Sequence, residues 1–207
     1  MTIDSHNSEL VLVSADVQKV EVTRWFDGWS VFGDVNRPTW SMRDGTLSLN
    51  VECGGLMSGC ETRHEIRVPR GFDVVADETT GSIRASGFGA GLRLSSKNGD
   101  LTVHRSSGAL GLRTNNGRVV ATGNASRRVS AETANGEMVI SATRVPDRVR
   151  AKTKNGDIAL TVPRTKYRVT AASRNGQVSV DVPRDGGSRH VLDTHAVNGG
   201  ISVRTAR

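Results

Sequence analysis

Residues 151–162 read AKTKNGDIALTV. A polar clasp, Thr153-Lys154-Asn155-Gly156, precedes an apolar alternation at Ile158, Leu160 and Val162. Taken alone this is a hairpin signal, because Asn-Gly suits a tight turn whose central residues need positive φ. Asn-Gly recurs, however, at 98, 116, 135, 155, 175 and 198, at spacings of 18, 19, 20, 20 and 23 residues. Self-similarity at a period near 20 residues is the signature of a solenoid.

Each copy has the same parts. A first strand ends in a hydroxyl residue two positions before the Asn: Ser96, Thr114, Thr133, Thr153 and Ser173. Its alternate positions are apolar, as at Leu92 and Leu94, Leu110 and Leu112, Val129 and Ala131, Val149 and Ala151, Val169 and Ala171. After the clasp a second strand alternates in the same way, from Leu101 and Val103 to Ile201 and Val203. Three copies leave through Val-Pro, at Val145-Pro146, Val162-Pro163 and Val182-Pro183, where proline ends the ladder. An isolated two-stranded hairpin cannot bury these apolar faces. Stacked coils can, each strand pairing with its equivalent about 4.8 Å away.

The sequence therefore predicts an all-β, single-stranded parallel β-helix with ~18–20-residue coils and a β-rich N-terminal cap. A meander of antiparallel hairpins is the competing arrangement. The whole chain, 1–207, reads as one domain, with a first coil and β-rich cap or insertion over 1–62 and repeat coils over 63–207. Ser5-His6-Asn7-Ser8 fits the clasp with Ser for Gly, which makes the N-terminus the expected first coil. The Asn column is expected to be structural, because stacked Asn side chains can bond to one another in a ladder.

The run of Ser/Thr-x-Asn-Gly clasps and the Val-Pro-Arg exits, with the cysteine-bearing N-terminal part, resemble the bacterial putative-adhesin β-strand-repeat family. That is a domain of unknown function common in Gram-positive bacteria, and the resemblance is strongest over 62–204. It implies a parallel β-helix carried outside the cell, often on a membrane anchor, and it brings no catalytic residues with it.

No stretch approaches the roughly 20 apolar residues of a membrane helix, and MTIDSHNSELVLV has neither the basic start nor the apolar core of a signal peptide. The expected location is the cell envelope, or the cytoplasm if Met1 is the native start. The charge is uneven: residues 1–80 hold 7 Lys/Arg and 13 Asp/Glu, while 81–207 hold 21 and 8. Such a basic half suits a polyanionic partner, although a merely solvated surface has the same composition.

Strand alternation puts the first-strand charges on one face. The candidate polyanion site is Arg128, Arg148, Arg150, Lys152, Lys154, Arg168 and Arg174, with only Glu132 opposing it. The expected partners are an anionic wall polymer, lipid or glycan. Nucleic acid fits poorly, because the face lacks aromatic residues to stack on bases. Trp25, Trp29 and Trp40 could form a carbohydrate platform or a plug closing the solenoid end. Cys53 and Cys60 bracket a Gly-rich loop that suits a disulfide, free thiols or, with His64, an incomplete metal site. Glu137 and Asp157 on neighbouring coils have the separation of a glycosidase pair. Lys154 and Arg174 are positioned to neutralise them. The expectation is a non-catalytic surface module without cofactor or metal. Head-to-tail self-assembly and a carbohydrate-active enzyme are the alternatives.

Overall fold

The computed structural model describes residues 1–30, 38–51 and 58–206. Among them every regular element is a strand. Odd- and even-numbered strands mostly alternate between two sheets. The N-terminal part contributes β1 (Thr2–His6), β2 (Glu9–Ala15), β3 (Glu21–Ser30), β4 (Thr39–Arg43), β5 (Thr46–Asn50) and β6 (Ser58–Pro69). The coils that follow are β7 (Val74–Thr80) with β8 (Ile83–Ser86), β9 (Leu92–Asn98) with β10 (Leu101–His104), and β11 (Leu110–Asn116) with β12 (Val119–Asn124). Next come β13 (Arg128–Asn135) with β14 (Met138–Ala142) and β15 (Arg148–Asn155) with β16 (Ile158–Val162). The last two are β17 (Arg168–Asn175) with β18 (Val178–Asp181) and β19 (Val191–Asn198) with β20 (Ile201–Thr205).

The predicted β-solenoid is present. Two ten-stranded sheets face each other, and equivalent strands of successive coils pair in parallel. The in-register partners Leu101, Val119, Met138 and Ile158 form one buried column, and Val103, Ala121, Ile140 and Leu160 form the next. Burying a side chain of this size contributes about 1.5–3 kcal/mol, and stacking repeats that gain at every coil.

The Asn-Gly clasp is a corner between the sheets. Asn116 Nδ2 donates to Asn98 Oδ1 at 2.8 Å, and the ladder continues through Asn135 and Asn155 at 2.7 Å per step. The glycine is required because the corners stack backbone on backbone: a Cβ on Gly156 would fall deep inside contact with the Gly136 carbonyl. The hydroxyl two positions before each Asn has a partner too. Thr114 Oγ1 donates to the Gly99 carbonyl at 3.0 Å and Thr133 Oγ1 to that of Gly117 at 3.2 Å. Ser/Thr-x-Asn-Gly thus encodes a corner in which one coil's hydroxyl satisfies the neighbouring coil's glycine carbonyl.

The order of coils departs from the sequence at both ends. β1 lies between β5 and β7, and β2 lies between β6 and β8. The N-terminal coil is therefore third from the end of each sheet, inside β5 and β4 on one side and β6 and β3 on the other, and not the first. At the other end β19 and β20 are interposed between β15–β16 and β17–β18. Each terminal segment is paired on both sides, so neither chain end forms a sheet edge. The outer strands at the N-terminal end, β3 and β4, run antiparallel to their neighbours. The outer coil at the C-terminal end is left open. Val169 and Ala171 are only partly buried, and Val178 is 39% exposed, whereas the equivalent Ile158 is 1% exposed.

Candidate functional site

The candidate site is built on the first-strand sheet and on the corner leading into it. β15 presents Arg148, Arg150, Lys152 and Lys154 at alternating positions, while Val149, Ala151 and Thr153 between them are buried. Arg128 of β13 lies in register with Arg148. Parallel neighbours sit about 4.8 Å apart, so these guanidinium stems are adjacent.

The interposed β19 divides the basic set. Val191 stands between Arg148 and Arg168, Asp193 stands beside Arg150, and His195 stands beside Lys152. Asp193 pairs with Arg150 at 3.7 Å and with His195 Nε2 at 2.6 Å. Glu132 is therefore not the sole opposing acid, and it pairs with Arg113 at 3.7 Å. Arg128, Arg148, Arg150, Lys152 and Lys154 remain together, while Arg168 and Arg174 lie on the outermost coil beyond β19. The 23-residue spacing between the last two clasps was the only sign of this interposition in the sequence.

The corner adds residues that strand alternation does not reveal. Arg127, Arg144 and Arg189 line a groove of about 710 Å³ together with Val145, Asp147, Thr165 and His190. His190 Nδ1 donates to the Pro146 carbonyl at 2.9 Å, which fixes the ring at the groove. Arg127 and Arg144 make no ion pair among the described residues, and neither do Arg128, Arg148, Arg168 and Arg189. All six are exposed: Arg127, Arg144 and Arg189 share the corner groove, Arg128 and Arg148 begin neighbouring first strands to make a basic ridge beside it, and Arg168 lies one strand further out, beyond Val191. Of the groove arginines only Arg144 stands beside a Val-Pro exit, and nothing in the repeat pattern marks Arg127 or Arg189. All three lie in loops, where counting inward and outward positions does not apply.

The remaining candidates are distributed elsewhere. Trp25 and Trp29 lie opposite Arg63 and Gly59, on the outer face of β3, and are 49% and 56% exposed. The Arg63 guanidinium sits 5.5 Å from the Trp25 ring centroid. Trp40 pairs with Leu49 on the inward side of β4, in the other sheet, and is 65% exposed. The three tryptophans therefore do not share one surface. The cysteine pairing falls outside the described residues: Cys53 lies within 52–57, and of Cys60 only the strand backbone is described. Glu137 pairs with Arg118 at 3.2 Å, and Asp157 Oδ1 accepts from the Gly200 N–H at 2.7 Å. The expected neutralising partners Lys154 and Arg174 are not the ones the carboxylates take. Asp157 instead fastens one coil to the next, as Asp100 does by accepting from the Arg118 N–H at 2.7 Å.

One solved structure shares this architecture. A crystal structure of a putative adhesin from Bacteroides fragilis is 14% identical and has a TM-score of 0.56, covering 99% of this chain and 91% of that one. A putative cell adhesion protein from Clostridium sporogenes is 11% identical with a TM-score of 0.37, covering 99% of this chain and 92% of that one. No curated protein matches the chain. The family model described as Toastrack DUF4097 matches residues 44–203, and this protein belongs to that family.

Proposed function

We propose that this protein is a non-catalytic, envelope-associated binding module that engages a polyanionic surface through the basic ridge and face of its first-strand sheet. The observation that carries this reading is the set of six exposed arginines, Arg127, Arg128, Arg144, Arg148, Arg168 and Arg189, which have no carboxylate partner among the described residues. Like charges held this close repel, and a partner with regularly spaced anionic groups relieves that repulsion. A wall polymer, an anionic lipid surface or an acidic glycan each presents such groups. The shared fold with a putative adhesin supports a surface location. Engagement of Glu137 by Arg118 and of Asp157 by a backbone amide favours a structural use of those carboxylates over a glycosidase pair.

The test is co-sedimentation with phosphatidylglycerol vesicles and with purified teichoic-type polymer. Wild-type protein is expected to sediment with at least one of them. The variant with Arg127, Arg128, Arg144 and Arg148 replaced by Glu is expected to remain in solution with an unchanged far-UV circular dichroism spectrum. Equal binding by the two proteins overturns the reading.

A second reading, end-to-end self-association, is favoured by the open β17–β18 coil with its exposed Val178. Sedimentation velocity distinguishes it: concentration-dependent assembly that Val178→Lys abolishes supports stacking, and a monomer at all concentrations removes it.

A further inference from the structure

The N-terminal end of the solenoid holds a cavity of about 480 Å³ between β3 and β4. This volume lies within the range of small-molecule sites. Its walls are Val20, Val22, Met42, Leu47 and Leu49, with Trp40 at the open side. Two basic side chains also line it, Arg24 and His64, and among the described lining residues there is no carboxylate.

His64 is 1% exposed, and its Nδ1 has no hydrogen-bond partner. Unpaired buried polar atoms are costly and uncommon, and this one stands in the cavity wall, available to a ligand. Arg24 is the direct cross-strand partner of His64. One of its nitrogens, Nη1, donates to the Pro38 carbonyl at 2.8 Å. A guanidinium carries five N–H donors in a fork matched to a carboxylate.

We propose that this cavity binds an aliphatic monocarboxylate, its chain against Val22, Met42, Leu47 and Leu49 and its carboxylate between the Arg24 guanidinium and His64 Nδ1–H. A cationic headgroup is excluded by Arg24. An uncharged chain of the same length leaves the guanidinium and the imidazole unpaired. The neutral state of the buried imidazole, whose pKa burial and Arg24 together lower to about 4, leaves room for a single negative charge at Arg24. The site shares no residue with the basic ridge, so either proposal can fail without the other.

The test is titration with sodium octanoate and, separately, octan-1-ol, followed by calorimetry and by the ¹⁵N resonance of His64 Nδ1. Octanoate is expected to bind saturably at one site and to shift the His64 resonance, and octan-1-ol to bind at least tenfold more weakly. Arg24→Met is expected to reduce octanoate affinity at least tenfold, to the level of the alcohol. Absence of saturable octanoate binding, equal affinity for the two compounds, or binding that leaves the His64 resonance unmoved overturns the proposal. The last two readouts use wild-type protein and do not depend on the variant folding.

Discussion

Asn198 Nδ2 donates to Asn155 Oδ1 at 2.7 Å across 43 residues of chain, while Asn175 lies one coil further out and donates to Asn198 at 2.8 Å. The chain thus passes over the place of its final coil, builds the outermost one, and returns to fill the gap. The C-terminal strands are held on both faces by parallel ladders. Local opening follows pairing rather than sequence position. Amide hydrogen exchange is expected to be fastest in β17 and β18 and markedly slower in β19 and β20. Protection that declines steadily towards the C-terminus would show that the coils stack in sequence order.

The Asn ladder is graded by the same order. Asn135 both donates and accepts within it, whereas Asn175 is its last member. Asn135→Ala is expected to cost about 1–2 kcal/mol and Asn175→Ala about half of that, from the hydrogen bonds lost. Denaturant unfolding of the two variants measures the difference.

The glycine column is less forgiving. Gly156→Ala drives a methyl group into the Gly136 carbonyl, and backbone cannot yield as a flexible side chain can. A loss of at least about 3 kcal/mol, or failure to fold, is expected. Gly186 has nothing within 4 Å of an added Cβ, so Gly186→Ala serves as the near-neutral control.

Two buried groups give opposite pH signatures. His64 falls from 6.5 to about 4 on folding, through burial and then the Arg24 charge. The unfolded chain binds the proton first, so this contribution is complete above pH 6.5 and is lost as pH falls towards 4. Its size is at most about 3 kcal/mol. Glu78, which takes the place of a hydroxyl in the corner column opposite Ser96, is pushed up by burial. The amides of Thr79 and Thr80 offset this in part by donating to Oε1 at 3.0 and 3.2 Å. Its carboxyl takes up a proton more readily when folded, so its contribution improves on acidification from neutral pH. His64→Leu is expected to remove stability loss between pH 6.5 and 4. Glu78→Gln is expected to stabilise most at pH 7, with the advantage shrinking as pH falls. Urea midpoints of wild type and both variants across this range check both signs.

Much of the fold was legible because the repeat states the same rule many times. The period, the Asn-Gly corner and the inward positions from Leu92 to Leu160 follow from alternation, and the structure buries them. Coil order was not legible. A 20-residue coil has the same pattern wherever it stacks, so nothing local separates Ile201 beside Ile158 from Ile201 beyond Val178. That ambiguity also displaced the predicted site, since Asp193 and His195 entered a face expected to be almost wholly basic. The corner arginines were hidden because alternation governs strands and is silent on loops. Tyr167, 0% exposed with its hydroxyl donating to the Pro163 carbonyl at 2.8 Å, was missed for the same reason.

The central claim is that the arginine ridge is a polyanion site. The most direct measurement is the affinity for heparin as a function of salt, in wild type and in the variant with Arg127, Arg128, Arg144 and Arg148 replaced by Glu. Displacement of condensed counterions makes such binding fall linearly in log–log form, with a slope set by the number of charges engaged. The account predicts a steep negative slope for wild type and loss of measurable binding in the variant. A shallow slope, or equal affinity in the two proteins, would contradict it.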